Sequence, residues 1–466
     1  MTAPMNDRQA LGAYLAALLL VCLAVTAASM LWALPAGPIE EHFEIGRQLR
    51  ATGSLGGAVF RPPGYPAFVA LVLWARDAAG LKPHAQDTTA VIAAQWLALL
   101  ALTVLLFLLL AKRDPAGGFL VGALMFANPL SVVLAGALGY ALLDVGLILL
   151  GTLALAAATR DPTTPPRPAL VAGLVFGLAA LVRPVALAIP GSVAVLEWLS
   201  GRWTAGGRLL AWLSLGMLVI VGPYLLRNHS VSGRFVPVSA QAGFNLWASS
   251  VGKRGADEPF VSWRSVWEGE GMRIYSRVTG EKEYSLTVLT ANAVRLNDEF
   301  RREAIRNIRR DPGTYVANVA NNLWRFPLDT TAWWWRRFAW ENAGHPMQGA
   351  LAADPTPRAR RAAAIADGAM FAQSLVGLFG LLVGLRCRDP WARPILAVLA
   401  ALWIGNSVLL LLSRYTYAKL PLLVLSTGML FRAPPDALTV FLRRRVVPAI
   451  LVLTLAATFT MLRAGG

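Results

Sequence analysis

Apolar residues in this chain gather into long, nearly unbroken runs rather than into the alternating or three-and-four spacings of half-buried elements. Eleven runs read as transmembrane helices: 11–34, 89–111, 116–134, 136–158, 168–182, 184–199, 208–226, 366–385, 393–412, 415–431 and 446–463. A helix needs about 20 apolar residues to cross a hydrocarbon core of about 30 Å, and most of the runs approach that length. The fifth and sixth are short and meet at Arg183-Pro184. Proline cannot continue the helix before it, so a re-entrant hairpin or two tilted short helices would fit there. The pattern predicts an all-α polytopic membrane protein.

Two long polar stretches interrupt it, 35–88 and 227–365. They divide the chain into an N-terminal transmembrane module (1–226, with the first loop at 35–88), a large loop or cap region (227–365) and C-terminal transmembrane helices (366–466). Neither loop reads as a linker. In "EEHFEIGRQLR" (40–50), Phe43, Ile45 and Leu49 fall among charges, as in a short helix lying on a membrane surface. The stretch after Pro66, "AFVALVLWARDAAG", is apolar but short. In "RLNDEFRREAIRNIRRDPG", Leu296, Phe300, Ala304 and Ile308 form an apolar stripe on a basic helix, which Asp311-Pro312-Gly313 ends. "AWWWRRFAW" (332–340) has the make-up of an interfacial anchor.

Charge adds an orientation. The chain carries 43 Lys and Arg against 26 Asp and Glu, a net +17. No basic helix interleaved with base-stacking aromatics lies outside the spans, so the excess does not point to nucleic acid. With the N-terminus in the cytoplasm, every short basic loop falls on the cytoplasmic side: Lys112-Arg113; Arg160 and Arg167; Arg202 and Arg208; Arg386, Arg388 and Arg393; Arg432 with Arg443, Arg444 and Arg445. That is the positive-inside pattern, from which long loops are exempt. Both long loops then face outward. The first run, from Leu11 to Leu34, exceeds the usual apolar core of a signal peptide and reads as a retained helix. Cys22 lies inside that span and Cys387 in a short arginine-rich loop, so they form neither a disulfide nor a zinc site.

Candidate chemistry lies at the outer face. The sequence has no phosphate-binding G-x-x-x-x-G-K-[ST] loop, no H-E-x-x-H and no G-x-S-x-G. The four histidines are scattered and read as loop residues. Glu40 and Glu41, just past the first span, offer a base for a hydroxyl proton, or simply an acidic helix start. Asp144 is an ionisable residue near the outer end of the fourth span, and such groups are costly there unless they function. Arg61 and Tyr65 stand in "RPPGYP". Arg227 and Asn228 end the seventh span and Asn245 follows. Arg414, Tyr415 and Lys419 open the tenth span, and Arg183 lies at the break. Arginine and lysine beside a membrane, with tyrosine near, suit a phosphate on a lipid chain, although each alone also suits a snorkelling anchor. Glu40, Glu41 and Asp144 are oxygen ligands of the kind a hard divalent ion prefers, which leaves a metal cofactor open.

The order of an acidic first loop, "FRPPGYPAF", "ALVRPVAL", "GPYLLRNHSVSGRFVPVSAQAGFNLW", "RREAIRNIRRDPGTYV" and "SRYTYAKLPLL" resembles the bacterial membrane glycosyltransferases that use polyprenyl-phosphate sugars. These are the GT-C superfamily members related to aminoarabinose transferase and the protein O-mannosyltransferases. The resemblance spans roughly residues 10 to 432 and rests on the order and spacing of motifs that are individually weak. It implies a GT-C-like bundle with periplasmic juxtamembrane helices, in the inner membrane of a bacterium. It implies an inverting transfer from a polyprenyl-phosphate sugar to a lipid, glycan or protein acceptor at the periplasmic face. By the same resemblance Glu40 or Glu41 takes the place of the catalytic acid of the first loop, Asp144 that of the second acid, and Arg183, Arg227, Arg414 and Lys419 meet the donor phosphate. Arg61, Tyr65, Asn228, Asn245 and Tyr415 line the substrate side. Two departures stand out. The family usually has Asp a few residues before a Tyr where this chain has Glu-Glu-His-Phe, and its second acid usually lies closer to the position of Asn128-Pro129. The competing readings are a lipid or sugar transporter, favoured by Arg183 between broken helices, and a non-catalytic subunit of the same fold. A transporter predicts a repeat between the halves of the chain, and none is visible.

Overall fold

The computed structural model describes residues 7–31, 41–55, 59–81, 87–136, 139–160, 166–251, 269–283, 285–328, 357–408 and 419–465. Among them every regular element is helical. The bundle begins with α1 (Asp7–Leu31). Two short helices, α2 (Glu41–Thr52) and α3 (Gly64–Ala78), fill the first loop. Then follow α4 (Asp87–Ala111), α5 (Pro115–Ala127), α6 (Pro129–Gly136), α7 (Ala141–Thr159), α8 (Arg167–Val182), α9 (Ile189–Leu199, after a 3-10 turn at Pro184–Ala188) and α10 (Trp203–Ser232). The second loop holds α11 (Ala242–Ser250), α12 (Glu270–Thr279), α13 (Leu286–Ala291), α14 (Ala293–Arg310) and α15 (Pro312–Leu328). The bundle closes with α16 (Pro357–Arg386), α17 (Ala392–Val408), α18 (Lys419–Arg432), α19 (Ala437–Phe441) and α20 (Val447–Gly465).

Among the described residues six helices are long and apolar enough to cross a membrane, and a seventh crossing arises if α5 and α6 count as one bent span. The chain is a multi-pass membrane protein. The α5–α6 pair departs from the continuous helix expected over 116–134, with a bend of 51° between the two pieces. Pro129 supplies the cause, since its ring excludes the residue before it from helical geometry. The freed groups are satisfied locally. Asn128 leaves the helix and accepts from the Leu130 N–H at 2.8 Å, while its Nδ2 donates to Gln373 Oε1 at 2.7 Å.

Glycine sets how closely the helices approach. A Cβ on Gly173 would fall 2.4 Å from the Leu213 carbonyl oxygen, and one on Gly216 would fall 2.4 Å from that of Leu170. The two backbones of α8 and α10 are therefore in contact. Gly377 and Gly380 of α16 meet the carbonyls of Leu423 and Ser426 in α18 in the same way. In lipid, where burial of apolar surface gives no net drive, such close packing of small residues is a main source of helix association.

The second loop has a small core of its own. Phe244, Trp247, Ile274, Tyr275, Leu296, Phe300 and Ala304 pack together from α11, α12 and α14. Leu296, Phe300 and Ala304 are the stripe expected from the sequence. Helix α15 joins this unit to the bundle by lending side chains to foreign helix ends. Asn318 donates to the Ser249 carbonyl at the end of α11 (3.0 Å). Asn322 and Tyr315 donate to the carbonyls of Ser407 and Val408 at the end of α17 (3.0 and 2.9 Å). Terminal carbonyls have no partner within their own helix, so these amides and this hydroxyl act as caps.

Candidate functional site

Asp144 stands in the first turn of α7 and Arg183 in the break after α8. Pro184 holds Arg183 extended, with φ −143° and ψ 117°, which turns its side chain out of the helical repeat. The two groups meet. Arg183 Nη1 lies 2.9 Å from Asp144 Oδ2, and Nη2 donates to Asn406 Oδ1 at 3.0 Å. Asn406 is itself oriented by donating to the Leu402 carbonyl at 2.7 Å. Both charges are buried, Asp144 at 1% exposure and Arg183 at 6%. Asp144 Oδ1 accepts no hydrogen bond. A buried pair of this kind survives only because each ion answers the other.

The "RPPGYP" segment is the hub of this end of the molecule. Gly64 lies against the backbone of Leu181 and Val182, where a Cβ would fall 2.8 Å from the Val182 nitrogen. No other residue type fits there without a shift. Tyr65 is fully buried, and its hydroxyl donates to Gln95 Oε1 at 2.9 Å. Gln95 passes the connection to the Leu134 and Ala135 carbonyls at the end of α6. Just before the prolines, the Val59 carbonyl accepts from the Ala240 N–H at 2.8 Å, and Val59 packs with Val236, Ala240 and Ala293. Asn228 holds the other side of that contact by donating to the carbonyls of Val236 (3.0 Å) and Val238 (3.5 Å). The two long loops therefore meet at one end of the bundle.

Other expected residues are placed as follows. Arg61 is half-buried with its guanidinium 4.7 Å from the Phe60 ring centre. Arg227 is half-buried, over the Tyr224 ring, and donates to Asn228 Oδ1 at 3.0 Å. Lys419 opens α18, is 6% exposed, and donates to the Phe326 carbonyl in the last turn of α15. Asn245 is half-buried on α11. Glu41 is the first residue of α2, but its side chain, together with Glu40, Arg414 and Tyr415, lies outside the described residues, as does the tryptophan-rich 332–340 stretch. Arg414 and Tyr415 fall between two described anchors, Val408 and Lys419, both of which touch α15.

Three residues that the sequence reading passed over belong to this region. His42, read as a loop histidine, is 5% exposed on α2, with its ring centre 5.1 Å from that of Tyr140 and 6.3 Å from that of Tyr65. It sets α2 against Tyr140, the residue that precedes α7. Gln95 and Asn406 are the other two. Both are amides inside apolar runs, a signal of the same kind as Asp144.

Arginines and acids also lock the first loop to α4. Arg76 pairs with Asp87 and, at 2.6 Å, with Asp77. Arg50 reaches Asp77 at 2.7 Å and Arg47 reaches Asp87 at 3.3 Å. The Arg76 guanidinium, with Arg50 adding to it, holds the Asp77 carboxyl below the usual carboxylate range. Among the described residues no three metal-ligating side chains gather.

No family model matches the chain, and no curated protein does. Solved structures do match. One is the crystal structure of ArnT from Cupriavidus metallidurans bound to undecaprenyl phosphate, an aminoarabinose transferase of the kind that the order of motifs resembles. It is 15% identical, with a TM-score of 0.38, over 90% of this chain and 77% of that one. A likeness of that degree places no residue of this chain on a counterpart there.

Proposed function

We propose that the chain is an inverting glycosyltransferase of a bacterial inner membrane, moving a sugar from a polyprenyl-phosphate donor to an acceptor at the periplasmic face. The observation that carries the reading is the convergence at one end of the bundle. There His42, Tyr140, Asp144, Arg183 and the "RPPGYP" hub meet the second loop and the ends of α17 and α18. Ionised groups at the edge of a hydrocarbon layer are kept where they act.

The donor enters sideways from the bilayer. Glu41 or Glu40 takes the proton of an acceptor hydroxyl, whose oxygen attacks the anomeric carbon on the face opposite the phosphate. The bond from that carbon to the phosphate oxygen breaks, and its electron pair stays on the phosphate. Arg183, Arg227, Arg414 and Lys419 supply positive charge where the negative charge grows, and charge arranged in advance in a dry site is worth more than in water. Asp144 and Asn406 set the direction of the Arg183 fork. Tyr65 and Asn228 act through the backbone they hold, while Arg61, Asn245 and Tyr415 line the acceptor side. The loop region 227–365 is the cap that shapes the acceptor pocket, set between the two transmembrane parts.

The test uses purified full-length protein in lipid nanodiscs with a panel of polyprenyl-phosphate sugars and a membrane extract as acceptor. The wild type releases polyprenyl phosphate and labels an acceptor. Glu40→Gln combined with Glu41→Gln loses at least two to three orders of magnitude at unchanged expression, in keeping with the contribution of a positioned base of about 10²–10⁴-fold. An unimpaired double variant removes the base. Movement of intact donor across the bilayer without sugar transfer favours the transporter reading instead.

A further inference from the structure

The opposite end of the bundle holds a second group of charges that the proposed reaction does not use. Arg432 ends α18, at the far end of that helix from Lys419. Its side chain is 9% exposed, stacked on Trp391 with Cζ 4.0 Å from the ring centre. Its counterion is incomplete. Asp389 Oδ2 lies 3.2 Å from Nε, but the N–H does not point at it, and Asp389 Oδ1 already accepts from the Trp391 N–H at 2.9 Å. Neither Nε nor Nη1 of Arg432 donates a hydrogen bond, although both atoms are buried.

Further cations crowd the same corner. Phe431 packs on Gly117 in the first turn of α5, the helix that follows Arg113. Arg160 ends α7 close by. Both arginines lie near enough to repel the Arg432 charge. Asp114 commits one carboxylate oxygen to capping α5, accepting from the Gly117 N–H at 2.9 Å. Arg113 and Arg160, both exposed, thus add positive charge around the buried Arg432 at this end of the bundle. A buried guanidinium with two nitrogens lacking a hydrogen-bond acceptor, near like charges, is unfavourable unless a further anion completes it. Two exposed arginines beside a covered one, at the ends of apolar helices, suit a phosphate held on a lipid, since basic pockets between membrane helices take such headgroups.

We infer that the corner formed by Arg113, Arg160 and Arg432 binds the phosphate headgroup of an anionic phospholipid on the arginine-rich side of the membrane. The lipid seals the ends of α5, α7 and α18 and is distinct from any donor lipid at the loop end.

The experiment measures binding and thermal stability of the full chain in detergent with phosphatidylglycerol, phosphatidylcholine or inorganic phosphate. Native mass spectrometry counts the retained lipids. The wild type keeps phosphatidylglycerol in preference to phosphatidylcholine, and its Tm rises with the former alone. Arg113→Gln with Arg160→Gln, both exposed, weakens phosphatidylglycerol binding at least tenfold and removes the rise. Arg309→Gln with Arg310→Gln, both exposed at the end of α14 in the second loop, removes the same charge elsewhere and leaves both unchanged. An equal loss in that control shows diffuse attraction and overturns the site. So does equal stabilisation by inorganic phosphate, or a wild type indifferent to phosphatidylglycerol.

Discussion

Asp144 and Arg183 each cancel a cost that the other would incur alone. Removing one partner of a buried pair leaves an uncompensated charge, which typically costs about 3–5 kcal/mol. Asp144→Asn is therefore expected to lower Tm in detergent sharply, whereas Asp144→Leu combined with Arg183→Met regains much of the stability but none of the transfer. Equal stability of the single variant and wild type would show that the pair contributes nothing. At the first loop the sign of the pH effect follows from Asp77. Its folded pKa is held below the unfolded value of about 3.9, so its contribution is present above that value and fades as pH falls through the folded one. Asp77→Asn should flatten the dependence of Tm on pH in that acid window. Asp144 was legible in the sequence because an acid within an apolar run stands out. Asn406 and Gln95 carried a weaker form of the same signal. The clamp of Arg76 on Asp77 and Asp87 was not legible, since it depends on α3 folding back onto α4.

Helices α4, α7, α8, α10 and α16–α18 fall where the apolar runs predict them, with shifts of several residues at some ends, because the length of a membrane crossing leaves little freedom. Periodicity did the same for α14. What composition does not encode is direction. The bend at Asn128-Pro129 was hidden inside one apolar run, and its proline was the only mark. Close approach is encoded by single glycines, and the expectation is correspondingly sharp. Gly173→Leu drives a side chain into the Leu213 carbonyl and should destabilise by about 1–3 kcal/mol or more. Thermal denaturation in detergent measures it, with Gly207→Leu, where a Cβ meets nothing within 4 Å, as the tolerated control. The capping role of α15 was out of reach of any periodicity, because Asn318 and Asn322 serve helices distant in the chain.

Across the whole molecule the two long loops meet through residues 59–60 and 236–240, and the arginine-rich corner lies at the other end of the same helices. Counting charges from a cytoplasmic N-terminus leads to the expectation that both long loops lie on one side, and residues 59–60 and 236–240 do touch. The details of the site itself followed less directly, since Tyr65, Asn228 and Lys419 each have a protein partner that the sequence does not announce. The most direct measurement is a cryo-electron microscopy map of the protein in nanodiscs with polyprenyl phosphate added. The account predicts phosphate density at the loop end, within hydrogen-bonding reach of members of the set Arg183, Arg227, Arg414 and Lys419, with the prenyl chain leaving between helices into the bilayer. A loop end empty under saturating lipid, with Arg183 still closed on Asp144 and Asn406, would contradict it.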